Sequence, residues 1–130
     1  VLRGGNIKPF QLCTKPDDIF IPQSKVKEDI LLKHNDIVTP AVTSLENIGK
    51  MAIVELDMPH TTVGGFVFII RPLGGGESLS KYLLAFMSSP SAIDFMKSIT
   101  NKSGQAFYNI STYTATCSPR AYCLQNRETI

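Results

Sequence analysis

With 130 residues, 43% of them hydrophobic, the chain has enough apolar material for one domain with a packed core and no covalent staples. The formal net charge of +2 permits a polyanionic partner without arguing for one, so any nucleic-acid reading has to come from where the charges fall. Cys13, Cys117 and Cys123 are an odd set with no signal-peptide layout ahead of them, and no run approaches the ~20 apolar residues of a membrane span, so the expectation is a cytoplasmic chain without disulfides or a membrane partner.

Val1 to Phe10 reads as a short extended piece broken by Gly4-Gly5, a signal for a turn or a close backbone approach. Arg3, Asn6 and Lys8 surround that pair with donors of the kind a phosphate or a base edge accepts; the plainer alternative is a solvated edge guarded by lysine. After the turn Lys15-Pro16-Asp17-Asp18, Ile19-Phe20-Ile21 is a predicted strand, followed by a polar stretch from Pro22 to Asp29. Ile30-Leu31-Leu32 precedes a turn in which His34 is read as a turn residue, and Ile37-Val38-Thr39 is a strand by its branched side chains. Pro40 to Lys50 is a long polar connection to the strand Met51 to Val54. Within it, Thr43, Ser44, Asn47 and Lys50 offer hydroxyls, an amide and a cation suited to bases and phosphates.

The chain is organised around Gly64-Gly65-Phe66-Val67-Phe68-Ile69-Ile70-Arg71-Pro72. Phe66 to Ile70 is apolar on both alternating faces, which predicts a strand covered on each side, with Arg71 leaving the core and Pro72 closing the ladder. Gly74-Gly75-Gly76 lacks the endings and spacings of phosphate-binding loops, so it reads as a flexible connection and no nucleotide cofactor is expected. Ser78 is the predicted cap of a helix with a core stripe of Leu79, Tyr82, Leu83, Phe86 and Met87. Ser89-Pro90 opens a second helix, with Ala92, Ile93, Met96 and Ile99 inward and Asp94 and Lys97 outward. Thr100 to Ser111 is a predicted polar loop in which Lys102, Ser103, Gln105 and Asn109 repeat the donor-rich mixture of the earlier connection. Two such loops flanking one sheet make one face.

The order of these pieces carries a resemblance. Leu2-Arg3-Gly4-Gly5-Asn6-Ile7, Asp36-Ile37-Val38, Gly49-Lys50-Met51-Ala52-Ile53-Val54, the Gly64 to Pro72 run, Tyr82-Leu83-Leu84 and Ser103-Gly104-Gln105 running to Ile110-Ser111 together resemble the target recognition domain of the specificity subunit of type I restriction-modification enzymes. The resemblance covers most of the chain up to Ser111. It implies an α+β fold, a twisted, mostly antiparallel β-sheet with a helix pair packed on it as in DNA methylase specificity domains. It also implies a domain that reads one half of a bipartite site on double-stranded DNA beside modification and restriction subunits, with no catalytic residue of its own.

On this reading residues 1–111 are a single recognition domain lacking the family's usual opening segment, and the family's long separating helix is absent. Residues 112–130 are an atypical tail, expected to be truncated or frameshifted: Thr112 to Arg120 is polar where the family has a proline-rich apolar segment, and Leu124-Gln125-Asn126-Arg127 only approximates the family's ending.

The expected mechanism is readout without chemistry, in which lysines and arginines supply salt-dependent phosphate attraction and Thr43, Asn47, Gln105 and Asn109 compete for base edges. Neither a cofactor nor a metal is expected, since His34 and His60 are isolated and Cys117 and Cys123 lack a second close pair. The alternatives are a structural or protein-binding α+β module, and an enzyme using Cys13, Cys117 or Cys123 with His34 or His60, whose spacing brings no base to a thiol.

Overall fold

The computed structural model describes residues 1–74, 76–103, 105–108 and 121–125, and the fold is α+β. In chain order its strands are β1 (Ile7–Lys8), β2 (Gln11–Leu12), β3 (Leu31–Leu32), β4 (Ile37–Pro40), β5 (Val42–Thr43), β6 (Ala52–Ile53), β7 (Met58–Thr62) and β8 (Val67–Pro72). Two helices follow, α1 (Gly76–Met87) and α2 (Pro90–Ser98), and then β9 (Thr100–Ser103), β10 (Gln105–Tyr108) and β11 (Ala121–Gln125).

The apolar run after Gly65 becomes β8, an interior strand of a four-stranded antiparallel sheet in the order β11-β8-β4-β6. Its alternation works as expected, because it supplies both faces. Ile37 lies opposite Ile70, and Thr39 opposite Phe68, on the face where Leu83, Leu84 and Met87 of α1 and Met96 of α2 complete one core. Val38 lies opposite Ile69 on the other face, where Leu2, Ile7, Leu32, Val54 and Val63 close a second core. Full burial of each such aliphatic or aromatic side chain contributes about 1.5–3 kcal/mol, so this sheet dominates stability.

Arg71 does not simply leave the core at the end of β8. Its guanidinium donates to both carboxylate oxygens of Asp36, which is 1% exposed, at 2.8 and 2.7 Å, and to the carbonyls of Asp29 and Leu31 at 2.9 Å each. The hydrogen bonds that Arg71 donates to Asp36 raise its pKa further above its already high value. One fork thereby ties β8 to the start of β4 and to the turn before β3.

Several expectations are corrected. Ile19 to Ile21 forms no strand and Phe20 is 91% exposed, because β-propensity is expressed only where a partner strand offers hydrogen bonds, and among the described residues none pairs with this segment. Phe66 is turned out at the corner before β8 and is 69% exposed. Ser78 lies inside α1 rather than capping it. Tyr82 and Phe86 are also outside the core, since α1 is rotated to bury Ser80, Leu83, Leu84 and Met87, with the Ser80 hydroxyl donating to the Asn35 carbonyl at 2.8 Å. The stretch expected to be a loop after α2 forms β9 and β10, and the connection after Pro40 contains β5 and a 3-10 turn, Leu45–Asn47. The cap at Ser89 is as expected: its hydroxyl accepts from the Ala92 N–H at 3.3 Å, with Pro90 in the first turn. Residues 121–125, within the segment set apart as a tail, pair with β8 from Phe68 to Pro72.

Candidate nucleic-acid interface

After β4 the chain bends, and the Ala41 N–H donates to the Phe66 carbonyl at 2.8 Å. This aims β5 away from the main sheet and onto β10. Thr43 then lies opposite Ala106, and Ala106 opposite Lys102, so the three residues occupy one register row of a separate antiparallel sheet in the order β5-β10-β9. Gln105 and Ser103 face one another in the next row. The two donor-rich connections that the sequence sets far apart are therefore neighbours through their backbones. β9 is in turn fastened to α2, where the Thr100 hydroxyl donates to the Met96 carbonyl at 2.5 Å. Asn109 lies outside the described residues.

The segment leading from β5 to β6 is held by its own short hydrogen bonds. The Asn47 amide donates to the Ser44 hydroxyl at 2.7 Å, and the Asn47 N–H donates to the Ser44 carbonyl at 2.9 Å, which closes the 3-10 turn. Buried Thr39 donates its hydroxyl to the Lys50 carbonyl at 2.8 Å, fixing the far end of the segment to the sheet. Gly49 has φ +84°, and a Cβ there would stand 2.8 Å from Ile93 Cγ1, so the backbone lies directly on α2. Ser44 and Glu46 remain exposed, while Asn47 and Lys50 are half-buried. One of the two amide protons of Asn47 is used within the turn, which leaves the side chain further capacity for a base edge.

A cleft of about 310 Å³ opens between this segment, α2 and the β1–β2 turn, lined on its rim by Phe10, Glu46, Lys50 and Lys97 and on its floor by Ile48, Met51 and Ile93. Lys8, exposed, precedes that turn and lies opposite Gln11 in the hairpin. The sequence reading did not single out Phe10 or Thr39 and assigned Lys97 only an outward face; nothing in the order of residues signals that they meet.

Asn6 behaves differently, and the expectation that it presents donors to a ligand is corrected, while the Arg3 side chain beside it stays 42% exposed. Asn6 is fully buried: its Oδ1 accepts from the Arg3 N–H at 2.8 Å, and its Nδ2 donates to the Cys13 carbonyl at 2.9 Å and to Asp18 Oδ1 at 2.6 Å. Arg3 donates to the Asp17 carboxylate at 2.8 Å and to the Asp17 carbonyl at 2.9 Å. The Arg3 hydrogen bond is the leading cause holding the Asp17 pKa below the usual carboxylate range. For Asp18 the leading cause is the hydrogen bond from the Lys15 backbone, followed by Asn6. These donors are occupied in shaping their own corner.

For the enzyme alternative, the half-buried Cys13 thiol donates to the Asn6 carbonyl at 3.3 Å, and the His34 N–H donates to Asp57 at 2.8 Å. Among the described residues none of the hydrogen bonds joins Cys13 to His34 or His60, and none of the His, Cys, Asp and Glu side chains cluster as a metal site would require. Among the same residues no helix is long and apolar enough to cross a membrane. No protein-family model matches the sequence, and no curated protein matches it.

Proposed function

We propose that the chain is a sequence-specific, non-catalytic DNA-binding domain, reading half of a bipartite double-stranded target for a type I restriction-modification complex in the cytoplasm, with modification and restriction subunits as partners. The observation that carries the reading is the pairing of β5 with β10, which joins the segments bearing Thr43, Ser44, Asn47 and Lys50 to those bearing Lys102, Ser103 and Gln105. In this role Lys50 and Lys102 supply phosphate attraction, with Lys97 adding charge at the cleft side and exposed Lys8 a further cation. Thr43, Asn47 and Gln105 are the base-edge candidates, since hydroxyls and amides discriminate the donor and acceptor patterns of the major groove. With few cations engaged, log K is expected to fall with log salt at a slope of only about −2 to −4.

Anisotropy titration against a random duplex pool at low salt tests this. Lys50→Ala and Lys102→Ala should weaken binding to all sequences and each lower the salt slope by about 1, while Asn47→Ala and Gln105→Ala should re-rank the sequences selected. Four variants indistinguishable from the parent chain would refute the interface.

A second reading, a protein-binding module, is favoured by the Tyr82 and Phe86 rings, which stack at 6.3 Å and 13° on α1 while 64% and 56% exposed. It gains ground over the first if the duplex pool is never shifted.

A further inference from the structure

We propose that the cleft beside Phe10 takes up a single unstacked nucleobase of bound DNA, with the ring of Phe10 as its stacking surface and Lys50 and Lys97 holding the adjoining phosphate. This rests on the DNA-binding reading above and adds to it a recognition step and a preferred form of DNA.

The turn between β1 and β2 has only two residues, Pro9 and Phe10, since Lys8 and Gln11 are already paired. Proline suits the first corner of such a turn, and the second corner is left-handed, a position that belongs to glycine or asparagine. Phe10 stands there at φ +66°, a conformation a bulky side chain adopts at an energetic cost. The backbone is held in place by the Phe10 N–H donating to the Met51 carbonyl at 2.8 Å and by the bridge to Ala52. Neither bond uses the side chain, so a glycine would make the same turn with less strain. The ring is 54% exposed on the rim of the cleft, contributing little to either core.

The rest of the cleft determines what suits the ring. Its volume of about 310 Å³ is at the small end for organic ligands, with an apolar floor of Met51 and Ile93. Two cations, Lys50 and Lys97, stand on its rim against one carboxylate, Glu46. A planar ring carrying an anion a few ångströms away matches that arrangement: the base stacks on Phe10, the phosphate meets the lysines, and Glu46 offers an acceptor for an exocyclic amino group. Glu46 receives a long hydrogen bond, 3.4 Å, from the Ser44 hydroxyl. A lone aliphatic ligand would leave both lysines unused.

The test compares three labelled probes of one sequence by anisotropy titration: a fully paired duplex, the same duplex with one unpaired adenine, and the single strand. The parent chain should bind the duplex with the unpaired base about tenfold more tightly than the paired one, the scale of one aromatic stacking contact. With 2-aminopurine as the unpaired base, its fluorescence should drop on binding. Phe10→Gly should bring the ratio between the two duplexes to about one while its melting temperature does not fall, and Phe10→Trp should keep the preference. Lys97→Ala should weaken binding to every probe. If the parent chain binds both duplexes equally, or the preference survives Phe10→Gly, the inference is overturned and the DNA-binding reading stands. Failure to bind any of the three probes would overturn both.

Discussion

Two turns of this chain each carry an asparagine and use it in opposite ways. At the amino-terminal corner Asn6 meets Asp18 and the Cys13 carbonyl, so both of its amide protons are consumed within the fold, and Nη2 of Arg3 is spent on Asp17. Between β5 and β6, Ser44 and Asn47 satisfy mainly each other, and Lys50 is anchored through its carbonyl rather than its ammonium. The difference lies in the supply of acceptors. Where acceptors take both amide protons, as for Asn6, a turn becomes structure, and where a hydroxyl takes one, as for Asn47, the amide keeps capacity for a ligand.

Breaking the most completely occupied donor should have the largest effect. Asp36→Ala leaves the Arg71 fork without its carboxylate at the junction of β4 and β8, and should cost about 3 kcal/mol of unfolding free energy by urea denaturation. A loss below about 1 kcal/mol would mean that water replaces Asp36 there. Asn6→Ala strands the Arg3 N–H and the Cys13 carbonyl and should cost about 1–3 kcal/mol, with duplex affinity unchanged. A weakened complex with an unaltered melting curve would return Asn6 to the interface.

The smallest effect is electrostatic. Both Asp17 and Asp18 have folded-state pKa values below the ordinary one, so their contribution is complete above about pH 4 and is lost as the pH falls through the depressed values. The protection of amides around Cys13 to Asp18, taken relative to their intrinsic exchange rates, should therefore fall only in acid, and Asp17→Asn should flatten that dependence. A loss of protection already complete at pH 6 would contradict the pairing.

Much of the framework was legible in the residues. A run apolar on both alternating faces predicted a strand covered on each side, and β8 has one core on each face. The Ser89-Pro90 signature predicted the start of α2, and the α+β class was what the family resemblance implied. The helical period also predicted the stripe of α1, but not its width. Five apolar positions qualified, and the sheet covers a face that includes Ser80 and leaves Tyr82 and Phe86 outside. Ile19 to Ile21 failed for a related reason, because a strand requires a partner that the local sequence does not contain.

The candidate site was legible only in its parts. The donor-rich stretches around Asn47 and Gln105 could be marked from residue types, whereas their adjacency depends on the β5–β10 ladder, a set of backbone hydrogen bonds between distant segments. Equally, no local pattern distinguishes Asn6, buried and occupied, from Asn47, half-buried with capacity to spare. By itself the sequence determined the central strand and the helix start, because periodicity, branching and capping act over a few neighbouring residues. Only the tertiary structure decided which polar groups are spent, which face of α1 is covered, and that Phe10 meets Lys50 and Lys97 across one cleft, because those outcomes are set by contacts between residues far apart in the chain.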